Sequence, residues 1–226
     1  MTPDAPEAVF IPFGDYSQVA NELATGPDLA RDARRMLLFG LLRPYKGIEQ
    51  LVDAFTALHL TDKTFRLAIM GRPVDPAYGR EVETRLQSTG SDVEFRAELL
   101  EYEELVAEIR RSAFVVLPYR RMYNSGAALL ALSCGTPILV PTSATMNDLM
   151  EESGPEWVQT YDGDLTPEIL RAASQSFEST ASRRDGRNAL PRRSWSAVGA
   201  EYGRLYRQIT RGPSDQEDGS SSDRTR

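Results

Sequence analysis

Three short segments of this 226-residue chain carry residue types suited to holding an anion. The first is GLLRPYKG, residues 40–47. Gly40 permits a tight turn, Arg43 and Lys46 stand three apart, and Gly47 leads into an amphipathic stretch. Two cations at the mouth of a helix add to the positive end of its dipole, a combination that suits a diphosphate. The second is YNSGAALLALSCG, residues 123–135, where Asn124 or Ser125 can cap a helix and Gly126 lets a ligand approach the backbone closely. Tyr123 opens that loop. The third is IMGRP, residues 69–73, where Gly71 and Arg72 follow an apolar run. Taken singly, each segment is also what a solvated loop or an ordinary helix cap looks like. Neither a GxGxxG dinucleotide fingerprint nor a GxxxxGK[ST] phosphate loop occurs.

The elements around these segments decide whether they can converge. MLLFG (36–40) is short, apolar and closed by Gly, as a buried parallel strand is, and Ile48, Leu51, Val52, Phe55 and Leu58 then recur at helical spacing. The same alternation repeats: strands at 65–71, 93–95, 113–118 and 136–141, and helices at 77–86, 102–112 and 125–135, with Gly135 as the stop of the last. Strands separated by helices of this length predict right-handed βαβ units, hence an α/β, Rossmann-like parallel sheet with helices on both faces. In such a sheet ligands sit at the carboxyl ends of the strands, where the three segments fall. Further on, the pattern predicts helices at 145–152, 167–177 and 194–209 and a strand at 157–160. The domain reading is a linker or N-terminal segment over 1–34, the Rossmann-like domain over 35–193, a C-terminal helix over 194–210 and a disordered, Ser/Asp/Gly-rich tail over 211–226.

Composition removes several alternatives. One cysteine, Cys134, and one histidine, His59, leave no disulfide, no thiolate zinc cluster and no Ser–His–Asp or Cys–His apparatus. Cys134 reads as a buried small hydrophobe and His59 as a partly exposed helix residue. A net charge of −7 gives no electrostatic case for nucleic acid. No apolar run reaches transmembrane length, and MTPDAPEAV lacks the features of a signal peptide. The expected location is the cytoplasm, with or without peripheral contact at the inner face of a membrane.

Taken in order, LLFGLLRPYKGIEQLVDAF, FRLAIMGRP, VEFRAELLEYEELVAEIRRSAFVVLPY and NSGAALLALSCGTPILVP resemble the C-terminal, donor-binding domain of retaining GT-B nucleotide-sugar glycosyltransferases. The likeness is to the bacterial exopolysaccharide and lipopolysaccharide transferases, in the branch with Asn-Ser-Gly in the donor loop, and it covers roughly residues 9–210. It implies one half of a GT-B fold, part of a hexosyltransferase, with a nucleotide-sugar as ligand and neither metal nor other cofactor. It places Lys46 on the donor diphosphate and Arg43 as a second phosphate ligand. The turn glycines Gly40, Gly47 and Gly71 fall at the donor site, with Tyr123–Gly126 against phosphate and sugar and the backbone near Leu100 beside the base. No catalytic residue is assigned. Many members carry two glutamates flanking seven residues around the donor loop, where this sequence has Tyr123 and Ala131, and an Arg where it has Leu41. The family fold also carries an N-terminal acceptor domain, and AVFIPFGDY (8–16) resembles the segment joining the two. The chain therefore reads as a truncated product or one half of a split enzyme, inactive alone, working with a separate acceptor-binding subunit or as a homo-oligomer. The alternatives are a non-catalytic remnant or subunit, and an epimerase on a similar fold.

Overall fold

The computed structural model describes residues 11–23, 30–90, 93–120, 125–185 and 187–210. In chain order the elements are α1 (Ser17–Glu22), β1 (Asp32–Phe39), α2 (Ile48–Thr61), β2 (Arg66–Met70), α3 (Pro76–Thr89), β3 (Val93–Arg96), α4 (Tyr102–Arg111) and β4 (Ser112–Val116). Then come α5 (Gly126–Ser133), β5 (Ile138–Pro141), α6 (Ala144–Ser153), β6 (Val158–Tyr161), α7 (Pro167–Ser179) and α8 (Trp195–Thr210). Short 3-10 turns occupy Pro44–Lys46 and Ala181–Arg184. Helix starts follow from local chemistry. Asp75, Ser125, Ser143 and Thr166 each accept a first-turn amide at the start of α3, α5, α6 and α7. Proline at the first position of α3 and α7 supplies a ready φ without losing a hydrogen bond.

Residues 15–191 form one compact unit built on a six-stranded sheet of order β3-β2-β1-β4-β5-β6, every pair parallel. Side chains alternate across it. Leu37, Phe39, Met70, Val115, Leu117 and Val140 join one core with Ala20, Val106, Ile109, Ala128–Leu132 and Met146 from α1, α4, α5 and α6. Met36, Leu38, Leu67, Ile69, Phe114 and Val116 join the other with residues of α2, α3 and α7. Burial on both faces is why these strands read as unbroken apolar runs rather than alternating ones. The chain winds outward from β1 to β3, then returns to place β4 on the other side of β1. Strand order therefore reverses between β1 and β4, the place where doubly wound sheets bind ligands.

The Rossmann-like expectation holds, and the periodic segments lie where the pattern put them. Two differences have a physical cause. β1 begins at Asp32, four residues before the apolar run, because its charged start is neutralised. Arg35, 3% exposed at its side chain, bonds Glu108 at 2.6 Å, Glu94 at 2.8 Å and Ser112 Oγ at 2.7 Å, and Asp32 pairs with Arg66 at 2.6 Å. The stretch read as a linker also contains α1, anchored on α5 by a Tyr16 N–H that donates to Ser133 Oγ at 3.0 Å. Cys134 is buried and His59 is half-buried, stacked on Phe55.

The second unit comprises 1–14 with 192–226, of which 11–14 and 192–210 are described. Phe13 meets Trp195 of α8 edge-on with ring centroids 5.8 Å apart. A side chain on Gly14 would start 2.6 Å from the same indole, so the ring would have to shift to admit one. The disordered-tail expectation for 211–226 lies outside the described residues.

Candidate functional site

β1 ends at Phe39, and the loop that leaves it is laced to its neighbours by backbone hydrogen bonds. Gly40 N donates to Met70 O at 2.9 Å, Leu42 N to Arg72 O at 2.8 Å and Val74 N to Leu42 O at 2.8 Å. The β1 and β2 exits thus run on together past the sheet. Their backbones touch at Gly40 and Gly71: a Cβ on Gly71, whose φ is 148°, would lie 2.0 Å from Gly40 O. On the other side the β1 exit meets the β4 exit. Gly47 has φ 67°, and a Cβ there would fall 2.2 Å from Pro118 O, while Arg120 N donates to Tyr45 O at 2.9 Å. These glycines are needed for close approach as much as for conformation.

The turn Pro44–Lys46 folds the lysine back over the end of β1. Its ammonium donates to Phe39 O at 3.3 Å and stands 5.0 Å over the Tyr119 ring, in the space that a side chain on Gly40 would take. Lys46 is only 7% exposed and forms no ion pair with any described residue. Burial, and then the neighbouring Arg43 charge, pull its pKa down to about 8. A buried cation without a carboxylate is costly, and the usual remedies are a partner or loss of the proton. Tyr119, beneath it, is buried with its hydroxyl unpartnered among the described residues. Burial first, then Tyr45, push its phenol above the ordinary range, with Ser125 acting weakly against them. The Ser125 hydroxyl makes its one well-formed contact with Ala128 N, at 3.2 Å, as the cap of α5.

Ser125 caps the helix, and Gly126 begins it. The amides of Gly126 and Ala127 belong to a first turn that has no intrahelical acceptor. Because α5 is buried along Ala128–Leu132, that turn is held rigidly. Tyr16 reaches this place: its hydroxyl is 3.4 Å from where a Cβ on Gly126 would stand. Sequence reasoning assigned Tyr16 no role, since nothing in the periodicity of 8–16 signals a return to α5.

Of the expected site residues, Gly40, Lys46, Gly47, Gly71, Ser125 and Gly126 sit in the turns and at the α5 start that follow β1 and its two neighbours. Arg43 is exposed and turns instead into a hollow of about 750 Å³ shared with Arg72 and Arg80, though its charge still reaches Lys46. Leu100 follows β3, two strands from the reversal, half-buried against the α4/α5 core. Tyr123 and Asn124 lie outside the described residues. Ala131, where many relatives of the resembled family have Glu, is fully buried inside α5. Among the described residues, no helix is long and apolar enough to cross a membrane.

A model of the family described as "Glycosyl transferases group 1" matches residues 33–175. A GDP-mannose:glycolipid 4-beta-D-mannosyltransferase of Xanthomonas campestris pv. campestris is 37% identical over 174 residues, covering 76% of this chain and 48% of the relative. The chain thus spans about half the length of the curated relatives it matches. Two solved structures share its fold. Sucrose-phosphate synthase from Thermosynechococcus elongatus aligns with TM-score 0.62 and 22% identity, over 91% of this chain and 53% of its own. The C-terminal domain of a glycosyl transferase group 1 family protein from Francisella tularensis aligns with TM-score 0.51 and 14% identity, over 86% and 96%.

Proposed function

The chain belongs to the glycosyl transferases group 1 family, and from that premise we propose that it is the donor-binding half of a sugar-transfer enzyme. Lys46 and the first-turn amides of α5 hold the diphosphate of a nucleotide-sugar. The observation that carries this reading is Lys46 itself: a buried ammonium over the Tyr119 ring, at the end of a strand beside which strand order reverses, with no described carboxylate to neutralise it. A ligand diphosphate supplies the missing counter-charge.

In the transfer, the bond from the sugar anomeric carbon to the phosphate oxygen breaks, and one from an acceptor hydroxyl oxygen forms. The acceptor proton leaves, and charge grows on the departing nucleoside diphosphate. Lys46 and the α5 amides face that charge, which is where fixed electrostatic groups lower a barrier most. We propose GDP-mannose as the first donor to test and a glycolipid or polysaccharide as acceptor, because the relatives are named for a GDP-mannose donor and a glycolipid acceptor. On this reading the chain is the C-terminal half of a GT-B hexosyltransferase, with Tyr123–Gly126 as its donor loop. It works in the cytoplasm at the inner membrane face, with an acceptor-binding domain or subunit. Proximity to the acceptor is absent without that half, so the chain alone turns over slowly or not at all. Protein cations serve where a metal otherwise would, so EDTA should leave donor binding unchanged.

Calorimetry with GDP-, UDP- and dTDP-sugars tests the reading: one class should bind, and a folded chain that binds none of them refutes it. Anomeric analysis of the product, once the acceptor half is supplied, decides between the retention implied by the resemblance and the β-linkage in the relatives' name. A second reading, a non-catalytic remnant or subunit, draws support from Ala131, which is too buried to touch a ligand. Transfer restored by adding an acceptor-domain partner would reject it.

A further inference from the structure

The hollow beside the β1 and β2 exits has chemistry of its own. Its volume is about 750 Å³, and three exposed arginines, Arg43, Arg72 and Arg80, are among the residues that line it. None of their three guanidinium groups forms an ion pair or hydrogen bond with any described residue, whereas those of Arg35, Arg66, Arg85, Arg96, Arg111 and Arg187 are all matched to carboxylates. Two carboxylates also line the hollow. Asp75 Oδ1 accepts from Ala77 N and Tyr78 N at 2.9 Å each at the start of α3, and with Glu83 it sets two carboxylates against three cations. A local positive excess in a chain of net charge −7 is a site for an anion, and guanidinium groups bind phosphate oxygens in pairs. The walls are not only charged. Leu41 and Val74, 36% and 45% exposed, stand on the same rim with Pro73 and Pro76. Apolar surface beside unpaired cations fits a ligand with an anionic head and an apolar chain.

We propose that this hollow binds the phosphate group of an amphiphilic phosphate ester, at a site separate from the one around Lys46. Arg72 and Arg80 grip the phosphate, Arg43 stands on the wall between the two sites, and Leu41 and Val74 lie along the first carbons of the chain. Such an ester can be a phosphorylated acceptor lipid or an anionic lipid of the membrane, and both present the same head to the arginines.

The test is calorimetry of the whole chain with octyl phosphate below its critical micelle concentration, in the presence and absence of saturating GDP. Octyl phosphate should bind at least fivefold more tightly than inorganic phosphate, and GDP should not displace it. Arg72→Gln with Arg80→Gln should weaken it at least tenfold, and Arg72→Lys with Arg80→Lys should restore part of the loss. Both pairs are exposed, so melting temperatures should stay unchanged. A parallel titration with phosphatidic acid vesicles separates the sources: Arg-dependent vesicle binding assigns the membrane lipid, and binding of the monomeric ester alone assigns the acceptor. Displacement by GDP, equal affinity for inorganic phosphate, or indifference to the arginine pair overturns the proposal. If GDP itself fails to bind while octyl phosphate binds through the arginines, the donor reading of Lys46 falls and this site stands.

Discussion

The buried lysine makes the affinity for a nucleoside diphosphate depend on pH in a calculable way. With its pKa lowered to about 8 by burial and Arg43, Lys46 of the empty site is about nine-tenths charged at pH 7 and about one-tenth charged at pH 9. The ligand binds the ammonium form, so above pH 8 binding must first restore the proton. Below pH 8 the lysine is charged with or without ligand, and this dependence vanishes. Between pH 7 and 9 the linkage weakens binding about tenfold, close to 1.4 kcal/mol. The assay is GDP calorimetry at pH 7, 8 and 9 on the natural chain and on Lys46→Met, which keeps the side-chain volume. The ionisation of GDP is common to both proteins and cancels in the ratio of their dissociation constants. At pH 7 the substitution should cost roughly 1.5–3 kcal/mol, the range for a charge-assisted hydrogen bond. That advantage of the natural chain should shrink about tenfold by pH 9. A ratio that stays constant from pH 7 to 9 would mean that Lys46 is not the titrating anchor of the site.

Without ligand the same group works against folding. Its proton is held less tightly in the folded chain than in the unfolded one, so stability rises with pH between about 8 and 10.5, and Lys46→Met should stabilise the empty chain at pH 7 by up to about 3 kcal/mol, read by chemical denaturation. Gly47→Ala drives a Cβ toward Pro118 O with an unfavourable φ, and should cost at least about 2 kcal/mol together with loss of GDP binding. Ser125→Ala removes the cap of α5 and should lower stability by about 0.5–2 kcal/mol in thermal melts. Arg35→Met leaves Glu108 buried with only part of its counter-charge, from Arg111, and should cost about 3 kcal/mol while GDP affinity, measured on the remaining folded protein, stays unchanged.

Most of the sheet was legible because burial on both faces leaves continuous apolar runs, and those at 36–40, 65–71, 113–118 and 136–141 are closed by Gly or Pro. MLLFG and TPILVP could only be interior strands. The helices were legible from apolar residues at helical spacing, such as Ile48, Leu51, Val52, Phe55 and Leu58, and α5 also from its Ser125 cap, whose chemistry is local. What stayed hidden depends on partners far along the chain. The charged start of β1 looks like a loop until Glu94 and Glu108, more than fifty residues away, are known to neutralise Arg35. Arg43 and Lys46, three residues apart, seemed to serve one anion. The 3-10 turn at Pro44–Lys46 buries the lysine and leaves the arginine exposed, lining the same hollow as Arg72 and Arg80. Tyr16 and Tyr119 carry no local signal at all. They meet the start of α5 and Lys46 only because α1 docks on α5 and β4 lies beside β1.

A crystal structure of the chain with GDP-mannose bears most directly on the diphosphate site proposed at the strand reversal. Diphosphate oxygens should lie within hydrogen-bond distance of Lys46 Nζ and of the Gly126 and Ala127 amides. Nucleotide bound at another edge of the sheet, with the Lys46 ammonium still resting on Phe39 O alone, would contradict the account.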